Sequence, residues 1–252
     1  MTEPKFIRPG WDLTRVRAAA SLRSGGHSQG PFAGFNLGER VNDDPAAVAA
    51  NRELLRQALD LPTEPCWLRQ VHGTQVVAAH EWDSPPEADA AWTDRPGVVC
   101  AVMTADCLPV LLADRSGRVV AAAHAGWRGL AAGILEATLA ALPVPATELH
   151  AWLGPAIGPS AFEVGDEVAE AMLAVDPGAG VAFRPHGERW LADLPELARR
   201  RLQHHGLAAI HSSGDCTFSD PDRFYSHRRE NPCGRMASLI WITLERGEAD
   251  PA

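Results

Sequence analysis

Long apolar runs, paired cysteines and internal repeats are missing from this 252-residue sequence, and each absence removes a class of protein. The most apolar stretches, residues 107–113 and 130–135, fall far short of the ~18 residues that a membrane-crossing helix needs, so no membrane partner is expected. The first 17 residues scatter Lys5, Arg8, Asp12, Arg15 and Arg17 among proline and glycine, without the continuous apolar core of a secretory signal. The chain reads as cytoplasmic. Five cysteines, Cys66, Cys100, Cys107, Cys216 and Cys233, make an odd number with no C-x-x-C pair, which argues against a disulfide framework or a cysteine-rich zinc knuckle. No fixed-period repeat, low-complexity tract or linker divides the sequence. Positive charge is also scarce: 23 Lys and Arg against 32 Asp and Glu leave a net charge of −9. Such a surface repels phosphodiester backbones, and no nucleic-acid partner is expected.

What is present suits a folded soluble protein. With 46% hydrophobic and 22% charged residues, a chain of this length should bury about 70–75% of its unfolded surface. Asp44 followed by Pro45 is a helix start, and the pattern predicts a helix to about residue 59. Residues 66–71 read as a short strand ended by His72-Gly73, with 76–79 as its hairpin partner and a loop at 83–86. Residues 98–103, 108–113 and 119–123 read as strands buried on both faces. An Ala- and Leu-rich helix is expected at 130–142, stopped by Pro143. A strand at 149–153, helices at 165–175 and 194–205, and strands at 207–211 and 236–244 complete the reading. Hairpins mixed with β-to-helix units indicate an α+β domain of packed sheets covered by helices, a single unit over residues 1–252.

Three side chains stand out where apolar strands meet polar or glycine-containing loops: His72, Cys107 and His124. Two imidazoles and a thiolate are a borderline-soft donor set that suits tetrahedral Zn²⁺, with a fourth position left for water or substrate. Two of the same residues support a metal-free alternative, in which Cys107 is a nucleophile and His124 the base that forms its thiolate. Asp106 can orient a histidine, move protons or cap the turn. Gly126-Trp127-Arg128-Gly129 opens a helix after a strand, which suits either an anion-binding turn with Arg128 or a tight packing turn. Arg228, Arg229 and Arg235 with Ser226 and His227 form a cationic cluster, of the kind that holds a phosphate or carboxylate, or else a solvated basic loop.

Taken together, these blocks resemble the YfiH family, also described as the laccase-domain or peptidoglycan-editing-factor family. The resemblance is carried by Gly25-Gly26 through Asn36-Leu37-Gly38, Asp43-Asp44-Pro45 with Asn51-Arg52, Arg69-Gln70-Val71-His72-Gly73, Thr104-Ala105-Asp106-Cys107-Leu108-Pro109-Val110 and His124-Ala125-Gly126-Trp127-Arg128-Gly129. It continues through Gly154-Pro155-Ala156-Ile157-Gly158-Pro159, Phe162-Glu163-Val164-Gly165, Cys216-Thr217, Phe224-Tyr225-Ser226-His227-Arg228-Arg229 and Gly234-Arg235. His27, Asn42 and Cys233 depart from the family pattern. The resemblance implies a layered α/β/β/α sandwich and a zinc site whose ligands are His72, Cys107 and His124.

In activity, the family is similar to purine nucleoside phosphorylases acting on adenosine, inosine and methylthioadenosine, with adenosine deamination alongside. Phosphate would then be held by Arg128, His227, Arg228, Arg229 and Arg235, and Asp106 would assist proton transfer. Copper, from an older description of the family as polyphenol oxidases, is the weaker expectation, because none of the 10 histidines falls in a His-x-His pair. The fold also resembles a toxin deamidase with a Cys–His pair, which keeps a metal-free amidohydrolase acting on a peptidoglycan precursor as the alternative.

Overall fold

The computed structural model describes residues 3–80, 84–207 and 209–244. In chain order the elements are β1 (Phe6–Ile7), β2 (Val16–Ser21), α1 (Pro45–Leu59), β3 (Val76–Ala78), β4 (Ala90–Thr93), β5 (Val99–Thr104), β6 (Leu108–Asp114), β7 (Val120–Ala125), α2 (Trp127–Ala132) and α3 (Ile134–Ala141). They continue with β8 (Leu149–Leu153), β9 (Glu163–Val164), α4 (Asp166–Val175), β10 (Phe183–His186), β11 (Arg189–Ala192), α5 (Leu194–His204), β12 (Ala209–Ser212) and β13 (Met236–Ile242).

Two sheets pack face to face. One has the order β1-β2-β13-β5 and the other β12-β8-β6-β7-β4-β3, while β10-β11-β9 form a small third sheet. Strand alternation explains the layering, because successive side chains point to opposite faces. In β6, Leu111 and Ala113 face the first sheet and pack with Ala18, Ala20, Val102 and Ile240. Their neighbours Leu108, Val110 and Leu112 face outward and pack under Leu130, Ile134 and Leu135 of α2 and α3 and Leu197 and Leu202 of α5. The outer face of the first sheet, with Ala19, Ala101, Leu239 and Trp241, is covered by Leu55 and Leu59 of α1. The result is the α/β/β/α sandwich, and it accounts for β6, β7 and β13 being buried at every position.

Local signals placed α1 well: Asp44 caps it by accepting from the Ala46 N–H at 2.9 Å, and Pro45 is its first residue. Elsewhere tertiary context revised the expectation. Residues 66–71 form no strand, only isolated bridges from Cys66 to Cys100 of β5 and from Arg69 to Glu87, and β3 pairs in parallel with β4 instead of forming a hairpin. The helix expected at 130–142 is two helices, broken at Gly133, whose left-handed backbone (φ 101°) ends one and starts the next. Residue 208, in the strand expected at 207–211, and residue 83, in the expected loop, lie outside the described residues.

Candidate metal centre and cleft

Register brings the site together. β6 and β7 are antiparallel with Leu108 opposite Ala125 and Pro109 opposite His124, so Cys107, just before β6, meets the end of β7. β4 lies on the other side of β7 with Ala90 opposite Ala123, which sets Asp89 beside His124, and the His124 N–H donates to the Asp89 carbonyl at 2.7 Å. The Asp89 carboxylate, fully buried, then gathers the third segment. It accepts from the N–H groups of Val71 (3.1 Å), His72 (3.0 Å) and Gly73 (2.7 Å) and from His124 Nδ1 at 2.8 Å. One carboxylate thus holds the ring of one histidine and the backbone of another.

Those bonds hold His72 in a left-handed conformation (φ 61°), and Asp106 on the neighbouring loop has φ 87°. Non-glycine residues in this region are strained and persist where surrounding bonds over-determine them. The donor atoms of His72, Cys107 and His124 all lie within 4.8 Å of one another, with Cys107 Sγ 3.8 Å from His72 Nε2. Around one tetrahedral zinc, at bond lengths of about 2.0–2.3 Å, donors stand about 3.3–3.8 Å apart.

Three observations fit the set to a soft divalent metal. The bond to Asp89 keeps a proton on His124 Nδ1, so that Nε2 is the nitrogen that would ligate once a metal displaces its proton, the carboxylate–histidine arrangement common behind metal ligands. At Gly126 a Cβ would stand 2.9 Å from both Cys107 Sγ and His72 Cδ2, so the cradle exists only because that residue is glycine. The thiol is also held ready as a thiolate. Burial pushes Cys107 up, but the charge and hydrogen bonds of His124, then of His72, outweigh it and hold the thiol well below its usual range. Burial pushes His124 down, but the Cys107 thiolate and Asp89 together hold the imidazolium above its ordinary range.

The set forms the floor of a cleft of about 440 Å³ whose walls include Trp67, Met103, His227 and Arg235. Of the five anion-binding candidates, His227 and Arg235 are the two that line it. Arg128 is exposed and stacks on the Trp127 ring at 4.4 Å. Arg228 donates to the Glu163 carbonyl at 2.7 Å and lies over Phe162. Arg229 spends its donors on the carbonyls of Thr217, Phe218 and Phe224.

Asp106 accepts from Thr217 Oγ1 (2.6 Å), Ser226 Oγ (3.0 Å) and the Arg228 N–H (2.7 Å), tying the C-terminal loop to the centre. The carboxylate that orients a histidine is Asp89. Sequence reasoning missed it, although a lone acid inside the apolar run Ala88–Trp92 was a signal. It also missed Arg40, Arg52 and Arg69, which line the cleft.

A two-sheet α/β/β/α domain with two imidazoles and a thiolate at the foot of an arginine-lined cleft defines a class of layered α+β proteins with a three-donor site open to ligand. Within that class, the family model described as multi-copper polyphenol oxidoreductase laccase matches residues 17–243, and the chain belongs to this family, to which the YfiH proteins belong. It is 55% identical over 240 residues to "Purine nucleoside phosphorylase PA4543" of Pseudomonas aeruginosa, covering 94% of this chain and 98% of that one. It is 49% identical to "Purine nucleoside phosphorylase YfiH" of Escherichia coli K12, with 94% and 99% covered. The crystal structure of Neisseria meningitidis protein NMB0706 superimposes with a TM-score of 0.91 at 47% identity, covering 95% of this chain and 99% of that one.

Proposed function

We propose that the protein is a zinc-dependent purine nucleoside phosphorylase acting on adenosine, inosine and methylthioadenosine, with adenosine deamination as a side activity. The observation that carries the reading is the His72–Cys107–His124 set opening into an arginine-lined cleft, in a chain that aligns along 94% of its length with a relative named for that activity. In phosphorolysis a phosphate oxygen bonds to the anomeric carbon of the ribose while the bond to the purine breaks, and the purine leaves with that electron pair and takes up a proton. Arg235 and His227, both on the cleft wall, offset the charge of the phosphate and donate hydrogen bonds. Zinc held by His72, Cys107 and His124 would supply Lewis acidity at the cleft floor. Asp89 keeps His124 in the tautomer that can ligate, and Asp106 keeps the loop carrying His227 in place.

Among the described residues no helix is long and apolar enough to cross a membrane, which is consistent with a cytoplasmic enzyme, and residues 1–252 form its one domain in this reading. The test is elemental analysis of the purified protein together with chromatography of inosine and adenosine incubated with and without phosphate. Free base that appears only with phosphate supports the proposal, and none in either condition sinks it.

A second reading is favoured by one observation: Cys107, His124 and Asp89 stand in the order thiol, imidazole, carboxylate of a nucleophile, its base and the base's orienting acid. A metal-free amidohydrolase acting on a peptidoglycan precursor would use them so. It predicts stoichiometric alkylation of Cys107 by iodoacetamide and full activity in His72→Ala, whereas the zinc reading predicts loss of bound metal in that variant.

A further inference from the structure

One corner of the cleft is built around Leu37 and Gly38, and two arginines from distant parts of the chain are clamped to it. The Leu37 carbonyl accepts from Arg52 Nε at 3.1 Å, and the Leu37 N–H donates to the Arg235 carbonyl at 3.1 Å. Asn36 Oδ1 ties the two sides together by accepting from the Gly38 N–H at 3.0 Å and the Arg235 N–H at 2.8 Å. The stem of Arg235 lies flat on Gly38, where a Cβ would come within 2.8 Å of its Cγ.

Both guanidiniums keep donors in reserve. Arg52 sits 4.2 Å over the Trp67 ring and uses Nε on Leu37 and Nη1 on Glu39 Oε1 at 2.6 Å. Its Nη2 makes no hydrogen bond among the described residues. Arg235 turns Nη1 to the carbonyls of Cys233 (2.8 Å) and Gly234 (3.0 Å), and Nε and Nη2 have no partner among the described residues. Arg40, exposed at the rim, makes no ion pair there either. The Arg52 side chain is only 12% exposed. Holding a cation so far out of water is costly without an anion, and the one carboxylate touching it, Glu39, is itself 57% exposed. In a protein of net charge −9, three arginines line this corner against one lining acid, Glu39, with Glu64 acting on Arg52 from outside the lining, and they form a local cationic pocket.

We propose that this corner binds a tetrahedral phosphoryl group, held by Arg52 and Arg235 with Arg40 at the rim, and that Glu39 occupies the place until the anion arrives. The assignment rests on the phosphorolysis reading for its ligand and moves the anion away from Arg128, Arg228 and Arg229. The group is either free inorganic phosphate or the phosphate of a phosphorylated pentose, since both present the same oxygens to a guanidinium fork.

Isothermal titration of the full-length protein as purified, first with inorganic phosphate and then with ribose 1-phosphate, tests it without relying on turnover. Arg52→Gln and Arg235→Gln are expected to weaken phosphate at least about tenfold, and Arg52→Lys, which keeps the charge and loses the fork, about three- to tenfold. Glu39→Gln is expected to tighten it about threefold by removing the competitor, while Arg184→Gln, on an exposed strand outside the cleft, leaves it unchanged. Tighter binding of ribose 1-phosphate than of phosphate assigns the corner to the pentose ester, and comparable binding assigns it to the free ion.

If Arg52→Gln fails to fold, Arg235→Gln and Glu39→Gln carry the test. Wild-type affinity in both arginine variants overturns the proposal, as does a wild-type protein that binds neither ligand. Phosphorolysis measured alongside separates the two ideas. Turnover of inosine with an unchanged phosphate KM in the arginine variants removes this corner and leaves the activity. Phosphate binding that is lost in the variants, with no turnover in the wild type, keeps the corner and removes the activity.

Discussion

Replacing Asp89 by Asn should weaken metal binding at the candidate centre without altering any of the three proposed ligands. Every group that faces this carboxylate is a donor: His72 N–H and His124 Nδ1–H on one oxygen, Val71 N–H and Gly73 N–H on the other. An asparagine must turn its NH₂ toward one pair or the other. Toward the first pair, it leaves the His72 N–H unpaired and drives the His124 proton to Nε2, which removes the lone pair a metal needs. Toward the second, it leaves two part-buried N–H groups of the His72 loop unpaired, and the left-handed backbone of His72 (φ 61°) loses what holds it. Each unsatisfied buried donor costs about 1–3 kcal/mol, so the variant should lose about 2–4 kcal/mol of stability. For a domain of this size that corresponds to a fall in Tm of about 4–16 °C. Losing the group that orients a ligand typically weakens metal binding about 10–100-fold. Scanning calorimetry and competition with a chromophoric chelator for Zn²⁺ or Co²⁺ read the two effects separately. A Tm within about 2 °C of wild type together with chelator competition within about threefold would refute the reasoning.

Three other perturbations follow from named contacts. Gly126→Ala has an allowed backbone (φ −66°) but puts a methyl 2.9 Å from the Cys107 sulfur; chelator competition should show metal binding weakened about tenfold or more, and unchanged affinity would mean that the cradle is not the binding geometry. Asp106→Ala unpairs the Arg228 N–H and two hydroxyls, which should cost about 2–4 kcal/mol in urea unfolding and speed hydrogen exchange at residues 217–228 in particular. Exchange that rises evenly over the whole chain would contradict a local latch. His150 has both ring nitrogens buried without a hydrogen-bond partner among the described residues, and burial, then Arg115 and His211, hold its pKa below the ordinary imidazole value. The folded state therefore binds fewer protons than the unfolded one, so stability should decline as pH falls through about 6.5. Urea midpoints should slope less between about pH 7 and pH 5 in His150→Phe, and an unaltered slope would assign the dependence to other groups.

Short-range chemistry was readable in the chain alone. Asp44-Pro45 announced α1, the apolar run at residues 149–153 coincides with β8, and α4 and α5 begin within a residue of the expected starts, because caps and periodicity act within a few residues. That His72, Cys107 and His124 come together was also legible from donor type, although the strand expected before His72 does not form and only Cys107 and His124 stand at strand ends. Only the tertiary structure decided what the remaining polar groups do, because their donors are spent on partners far away in sequence. Asp106 and the Arg228 N–H are 122 positions apart, and Arg229 looked available until three carbonyls took its guanidinium. The two-residue strands β1 and β9 exist through pairing and carry no periodic signal. Asp89 and Arg52 acquire their places through strand register and through the clamp on Leu37, and folding alone sets both.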